Sequence, residues 1–190
     1  MTIEIDDAGT GDIVGDAFIG FLRKETGDII FRRLPVSLFR DENWDNKKPF
    51  IDVVDLVKDG LEALNFNKVS EKVVICRGNF FENVRDYFDE VGIYYEPASI
   101  EGKLQDAVES KLIDHLRTLG VRSRNLTKES GAKRFFVLFD WICHDFYNRE
   151  KFVKNGFKKW KSVWRERAIQ KFEKNKQVKI NSNNNKNSLL

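Results

Sequence analysis

The chain has 190 residues, of which 41% are apolar and 33% are charged, including 16 Phe and 4 Trp. That length suffices for one domain with a full core and an appendage, and is too short for two large domains. No apolar run approaches the roughly 18 residues of a membrane span, so we expect a globular protein with no membrane partner. Cys76 and Cys143 lie far apart in apolar runs, which favours free thiols and a cytoplasmic location.

The charge is distributed unevenly along the chain. Residues 149–179 carry 12 Lys or Arg against 3 acids, a net charge of +9. Residues 1–148 carry 20 against 27, a net charge of −7. An acidic body with a basic C-terminal arm is compatible with a nucleic-acid partner, although a solvated helix face is the commoner origin of a single charge run.

Apolar periodicity predicts five strands and three helices in the first 120 residues. Residues 2–7 alternate as a strand, and Thr26-Gly27-Asp28 is typical of a hairpin turn between the next two strands. Pro49 is placed to open the first helix. We predict strands at 2–7, 17–25, 29–38, 72–76 and 93–95, and helices at 50–64, 80–91 and 102–119.

This order predicts an α/β fold with a mixed five-stranded sheet. The first three strands are joined by short connections and should be antiparallel, whereas the later two follow crossover helices and should be parallel. The domain of order βββαβαβα spans residues 1–120. We expect a polar connector at 121–133, a helical basic extension at 134–176 and a disordered, low-complexity tail at 177–190.

The stretch IEIDDAGTGDIVGD at residues 3–16 is the richest in chemistry. A phosphate-binding loop is poorly supported, because no Lys-Ser/Thr pair and no helix follow the glycines. A metal site is better supported, because the hard carboxylate oxygens of Asp6 and Asp7 suit Mg²⁺ or Mn²⁺. The third interpretation is a tight turn in which the glycines adopt positive φ and the aspartates cap nearby amides.

The motif Asp6-Asp7-Ala8-Gly9-Thr10-Gly11, followed by Ile13-Val14-Gly15, resembles the opening motif of ribonuclease HII. The resemblance implies a ribonuclease H-like fold and cleavage of RNA within an RNA/DNA duplex, with two divalent ions as cofactors. It implies that Asp6 is the central metal ligand and that Asp7 replaces the family's Glu. It also implies that Gly9, Thr10 and Gly11 contact nucleic acid, with Thr10 in place of the family's Arg.

Two positions depart from the family pattern by reversing charge. Arg77 occupies the place of the third acid, and Lys103 occupies that of the fourth. We therefore hypothesise that these cations pair with Asp6 and Asp7 and fill the electrostatic role of the ions, which makes the site inactive. An active alternative remains, in which a displaced carboxylate from Glu101, Asp106 or Glu109 completes a metal site.

The C-terminal part of the chain offers two further interaction surfaces. The aromatic helix predicted at residues 135–147 packs on the sheet or contacts another protein. The basic segment that follows has cations to neutralise phosphates and aromatics to stack on bases. Its candidate nucleic-acid contacts are Lys158, Lys159, Trp160, Lys161, Trp164 and Arg165.

Three functions follow from these patterns. The first is a nucleic-acid-binding ribonuclease H-like protein with an inactive metal site. The second is a divergent Mg²⁺- or Mn²⁺-dependent nuclease acting on an RNA/DNA hybrid or structured nucleic acid. The third is a protein-interaction module that uses the aromatic helix.

Overall fold

The computed structural model describes residues 1–126 and 131–187. It contains five strands, β1 (Thr2–Ala8), β2 (Ala17–Arg23), β3 (Ile29–Leu34), β4 (Lys72–Cys76) and β5 (Tyr95–Ala98). They form one sheet in the order β3-β2-β1-β4-β5, with β1–β2 and β2–β3 antiparallel and β1–β4 and β4–β5 parallel. The predicted α/β class and mixed five-stranded sheet are confirmed.

Seven α-helices accompany the sheet within the described residues. They are α1 (Asp41–Asp45), α2 (Lys48–Ala63), α3 (Glu82–Val91), α4 (Lys103–Thr118), α5 (Ala132–His144), α6 (Phe146–Arg149) and α7 (Arg165–Asn187). Short 3₁₀ turns occupy Val36–Phe39, Asn79–Phe81 and Glu150–Phe152, and a π-helical turn at Trp160–Trp164 leads into α7. No helix in the described part of the chain is long and apolar enough to cross a membrane.

Both faces of the sheet are covered. On one face, Ile3, Ile5 and Phe21 pack in a core with the apolar stripes of α2 and α3. On the other, Ala8 and Phe18 pack with α4 and the C-terminal helices. Strand β2 is therefore buried from Ala17 to Leu22, as is usual for a strand between two helical layers.

The C-terminal extension is built into the domain. The backbone N–H of Gly15 donates to the carbonyl of Phe152 (2.9 Å), and that of Lys154 donates to the carbonyl of Ile13 (2.9 Å). Trp160, in the π-helical turn, is 1% exposed and belongs to the same core as β1 and α4. The extension thus closes one side of the sheet.

The ends of this extension differ from the predicted boundaries. Helix α7 continues to Asn187 and so covers most of the segment predicted as a disordered tail. Residues 127–130 of the predicted connector and residues 188–190 of the predicted tail lie outside the described residues.

Candidate metal centre and nucleic-acid cleft

A cleft of about 780 Å³ opens where β1 and β4 end. Parallel strands end side by side at this edge, where open α/β sheets generally bind ligands. The loop after β1, the start of α4, the start of α5 and the π-helical turn complete its walls. Its polar and aromatic lining residues are Asp6, Asp7, Thr10, Asp12, Cys76, Gln105, Glu109, Arg134, Phe135, Phe136, Lys159 and Trp164.

Asp6 and Asp7 meet at this edge although they are adjacent in a strand. Successive strand side chains alternate between faces, which normally separates neighbours. Here β1 ends at Ala8, and one carboxylate oxygen of each aspartate and the Sγ of Cys76 all lie within 4.8 Å of one another. The two predicted ligands are therefore brought together, with a thiol as a third donor.

The environment of the Asp6 carboxyl group disfavours its ionised form. The side chain is only 7% exposed. Burial raises the pKa of Asp6 to about 6, a hydrogen bond from the Asp7 backbone opposes this, and the Asp7 charge adds to the rise. Within the described ranges no basic side chain forms an ion pair with Asp6. A bound cation would relieve this charge.

Asp7 is held by the loop that follows it. Thr10 Oγ1 donates a hydrogen bond to Asp7 Oδ2 at 2.5 Å. Burial raises the pKa of Asp7, and the Thr10 hydroxyl and the charge of Lys154 oppose that rise. Gly9 allows the tight turn, because its φ is +85° and an added Cβ would lie 2.8 Å from Leu112 Cδ1. The tight turn and the cluster of metal-type ligands, which were alternative interpretations of residues 3–16, are therefore both present, and the turn positions Asp7 within the cluster.

Lys154 brings a positive charge into the protein interior beneath this loop. Its side chain is fully buried, and its Nζ donates a hydrogen bond to the Gly9 carbonyl. The same Nζ lies 4.3 Å from the centroid of the Phe39 ring. Burial lowers the pKa of Lys154 to about 8, against the attraction of Asp12, Asp16 and Asp7.

Arg134 brings the second buried cation. Its Nε lies 3.0 Å from Asp12 Oδ1 and 2.9 Å from Asp12 Oδ2, and its NH1 lies 2.6 Å from Glu109 Oε2. Burial opposes the charge of Arg134, but Asp12 and Glu109 outweigh it and raise the guanidinium pKa. A buried guanidinium that binds two carboxylates in this way fixes the β1–β2 loop and α4 to α5.

The predicted partners of the acids, Arg77 and Lys103, are not found there. Arg77 is exposed, and its backbone N–H donates to the Ala98 carbonyl (2.9 Å). Lys103 is exposed, and its Nζ donates to the Gly27 carbonyl at the β2–β3 turn (3.1 Å). In the described part of the chain neither forms an ion pair with Asp6 or Asp7, which corrects the predicted pairing.

The geometry of α4 explains the position of Lys103. Gln105 and Glu109 are four residues apart, lie on one helix face and both line the cleft. Lys103 is two residues before Gln105, about 200° around the helix, and so faces the hairpin instead. Of the three proposed displaced acids, Glu109 reaches the cleft, whereas Glu101 and Asp106 are exposed outside its lining.

The two cations that do reach the acids were missed by sequence reasoning. Arg134 is the third residue of α5 and directly precedes a nearly all-apolar run, and Lys154 follows Phe152-Val153 in a short apolar run. A cation next to such a run is the available signal, because a buried charge requires a partner. The sequence does not identify that partner, since Arg134 is 122 residues away from Asp12.

The candidate nucleic-acid residues separate into two groups. Lys159 and Trp164 line the cleft, as do Gly9, Thr10 and Gly11, and Trp164 packs against Phe135 with ring centroids 4.8 Å apart. Trp160 is 1% exposed, so its prediction as a base-stacking residue is wrong. Three further candidates, Lys158, Lys161 and Arg165, are exposed outside the cleft lining.

Two of these outer cations have acidic partners. Lys161 Nζ is 3.8 Å from Asp45, and Arg165 Nε is 2.6 Å from Glu150.

The aromatic helix mostly faces inward. Leu138, Ile142 and Cys143 are buried in the core shared with α4. Only Phe136 in α5 and Tyr147 in α6 are strongly exposed among its aromatics, at 57% and 63%. This favours packing on the sheet as the main role of the segment 135–147, and leaves a small surface for a protein partner.

The donor set fits one divalent ion better than two. Asp6 and Asp7 offer hard oxygens, while burial raises the pKa of the Cys76 thiol to about 11, so that this thiol is neutral near pH 7. Glu109 and Asp12, the acids that could hold a second ion, are both bound to Arg134. A single Mn²⁺ or Mg²⁺ held by Asp6 and Asp7 would polarise a phosphoryl oxygen.

Comparisons of the chain with protein-family models and with curated proteins returned no match.

Proposed function

We propose that this protein binds nucleic acid through the cleft, and that Lys154 and Arg134 replace metal ions as the charges that balance its acids. In this proposal the domain is ribonuclease H-like. The sheet order β3-β2-β1-β4-β5 and the position of the aspartates at the end of β1 support that relationship. They support it together with the resemblance of residues 6–15 to the opening motif of ribonuclease HII.

The observation that carries the proposal is the burial of two cations among the acids. Lys154 lies against the loop after β1, and Arg134 forms ion pairs with both Asp12 and Glu109. A two-ion catalytic centre needs several free carboxylates to offset about four positive charges. Here two of the four cleft acids are already paired with Arg134, which favours binding over metal-dependent hydrolysis.

The opposite wall has the composition of a single-strand binding surface. Lys159 is exposed at the cleft, and Trp164 and Phe136 both line it, with their ring centroids 6.2 Å apart. Aromatic side chains stack on bases without regard to sequence, and basic groups follow the backbone phosphates. The proposal therefore places the bases against Trp164 and Phe136, with a phosphate near Lys159.

Fluorescence anisotropy with labelled RNA/DNA hybrid, single-stranded RNA and single-stranded DNA tests this proposal. We expect Lys159→Gln to weaken binding several-fold and Trp164→Ala to weaken it about tenfold or more, since base stacking contributes about 1–3 kcal/mol. Lys68→Gln removes an exposed lysine from outside the cleft and is the matched control. Unchanged affinity in Lys159→Gln with a native melting curve would contradict the proposal.

A second candidate, an Mn²⁺- or Mg²⁺-dependent nuclease, is favoured by Asp6. This carboxylate is buried beside Asp7 and Cys76, and no cation described in the structure is paired with it. Titration calorimetry with each metal, compared with Asp6→Asn, decides between the candidates. Tight metal binding and hybrid cleavage, both lost in Asp6→Asn, would select the nuclease and reject the charge-replacement proposal.

A further inference from the structure

A second cleft lies on the other side of Phe136, between the loop after α4 and the outer face of α5. Its volume is about 970 Å³, and Phe136 lines both it and the cleft described above. The two clefts therefore adjoin at Phe136, in the N-terminal part of α5. Its charge is the reverse of the first cleft, because arginines line it where aspartates line the other.

The charges of this second cleft are available to a ligand. Arg122 and Arg124 line it, both are exposed, and neither has an ion-pair partner within residues 1–126 and 131–187. Asp140 is an acid in the lining, and it is already engaged by Lys171, 2.8 Å away. The field inside the cleft is consequently positive.

The floor of the cleft holds a buried donor that lacks an acceptor. Trp141 is 7% exposed and lines the cleft, and its Nε1–H has no hydrogen-bond partner among the described residues. The indole is fixed in place, because the guanidinium of Arg149 lies 4.5 Å from its ring centroid and donates to the Trp141 carbonyl. A buried N–H without a partner is costly, and an oxyanion would satisfy it.

We propose that this second cleft is a phosphate-binding site, with Trp141 Nε1–H, Arg122 and Arg124 as the donors. A phosphate accepts hydrogen bonds from both an indole N–H and a guanidinium group, and the arginine fork matches its oxygens well. The occupant is the backbone phosphate of a nucleic-acid strand that leaves the first cleft across Phe136. This assignment of the occupant rests on the proposed function, whereas the phosphate site itself does not. A free nucleotide would present the same chemistry.

The test uses the full chain with three probes, which are inorganic phosphate, a 5′-mononucleotide and a short single-stranded oligonucleotide. The variant Arg122→Gln/Arg124→Gln changes two exposed residues and should fold normally. We expect about tenfold weaker binding of the oligonucleotide and of the mononucleotide. We also expect the slope of log affinity against log salt to fall by about 0.7, since the site binds one phosphate and each single-strand phosphate contact contributes about that much.

Two more variants sharpen the result. Lys58→Gln/Lys68→Gln removes two exposed charges outside both clefts and should leave the three affinities and the salt slope unchanged. Trp141→Phe keeps an aromatic side chain and removes the indole N–H, and should weaken phosphate and mononucleotide binding about tenfold. Ligand-induced change in tryptophan emission, absent in Trp141→Phe, reports the same contact.

Each outcome separates this site from the first cleft. Unchanged binding of all three probes in the arginine variant overturns the phosphate site. Loss of mononucleotide binding with unchanged oligonucleotide binding overturns the strand as occupant and identifies a free nucleotide. If phosphate binding depends on Arg122 and Arg124 while Lys159→Gln leaves oligonucleotide binding intact, the proposed function fails and this site stands.

Discussion

Asp6 shows how a buried carboxylate can weaken the fold that holds it. Its folded pKa of about 6 is above the ordinary value of 3.8, mainly because of burial. The folded state therefore binds more protons between these two pH values, and stability falls as pH rises through that window. Above pH 6 the Asp6 carboxyl group is ionised in both states, and the folded state bears the full free-energy cost of burying that charge.

We predict that Asp6→Asn stabilises the protein at pH 7 by about 1–2 kcal/mol, after allowance for partial solvent screening. The gain should vanish below about pH 4, where the wild-type carboxyl group is neutral in both states. Urea unfolding across this range measures it. Asp86→Asn, on an exposed face of α3, is the control and should show no such pH dependence. A destabilised Asp6→Asn at pH 7 would contradict the account.

At the scale of elements, the extension is fixed to the segment between β3 and α2 through a close approach at Gly156. Its N–H donates to the Phe39 carbonyl (3.1 Å), and a Cβ there would overlap the Trp44 side chain. We predict that Gly156→Ala destabilises by about 1–3 kcal/mol, as other overpacked sites do. Gly11→Ala, where a Cβ meets nothing within 4 Å, should change the unfolding free energy by less than about 0.5 kcal/mol.

Thermal and denaturant unfolding of both variants measure this difference. Equal stability of Gly156→Ala and wild type would mean that Trp44 moves aside without cost.

The elements near the N-terminus could be predicted because their patterns are local. Alternation in β1 and apolar spacing in α2, α3 and α4 depend on neighbours in sequence. Glu109 is a candidate acid for another reason, which is the resemblance to ribonuclease HII and the carboxylate that related folds take from this helix. Contacts between residues far apart in the sequence follow no such rule. The sequence therefore does not reveal the contacts of Arg134 and Lys154, and Lys103 lies on a different helix face from the one predicted. The stacking role of Trp160 failed for a related reason, because amphipathic spacing does not say which aromatic is covered.

For the whole molecule, the sequence suggested a domain of residues 1–120 with an appendage, whereas the core crosses that boundary. Val14, Leu112 and Leu116 pack with α5 residues, and Asp12 is neutralised by Arg134. Removal of the extension would expose these apolar groups and leave Asp12 without its partner. The two parts are therefore expected to depend on each other for stability.

We predict that a chain ending at Gly120 loses cooperative unfolding and binds a hydrophobic dye, as partly folded states do. Circular dichroism melting of this chain beside the full-length protein measures the effect. A sharp, reversible transition in the truncated chain would establish that residues 1–120 fold independently and would contradict this view.

The contact between Lys154 and Gly9 spans 145 residues, and this separation has a consequence for biosynthesis. A ribosome adding about 5–20 residues per second needs roughly 7–30 s to proceed from the glycine to the lysine. During that interval the aspartates of the loop after β1 lack their counter-charges. We therefore expect the sheet to stay incompletely packed and hydrated until Lys154 has been synthesised. Cells with little chaperone capacity should accumulate this protein as an aggregate that forms during translation.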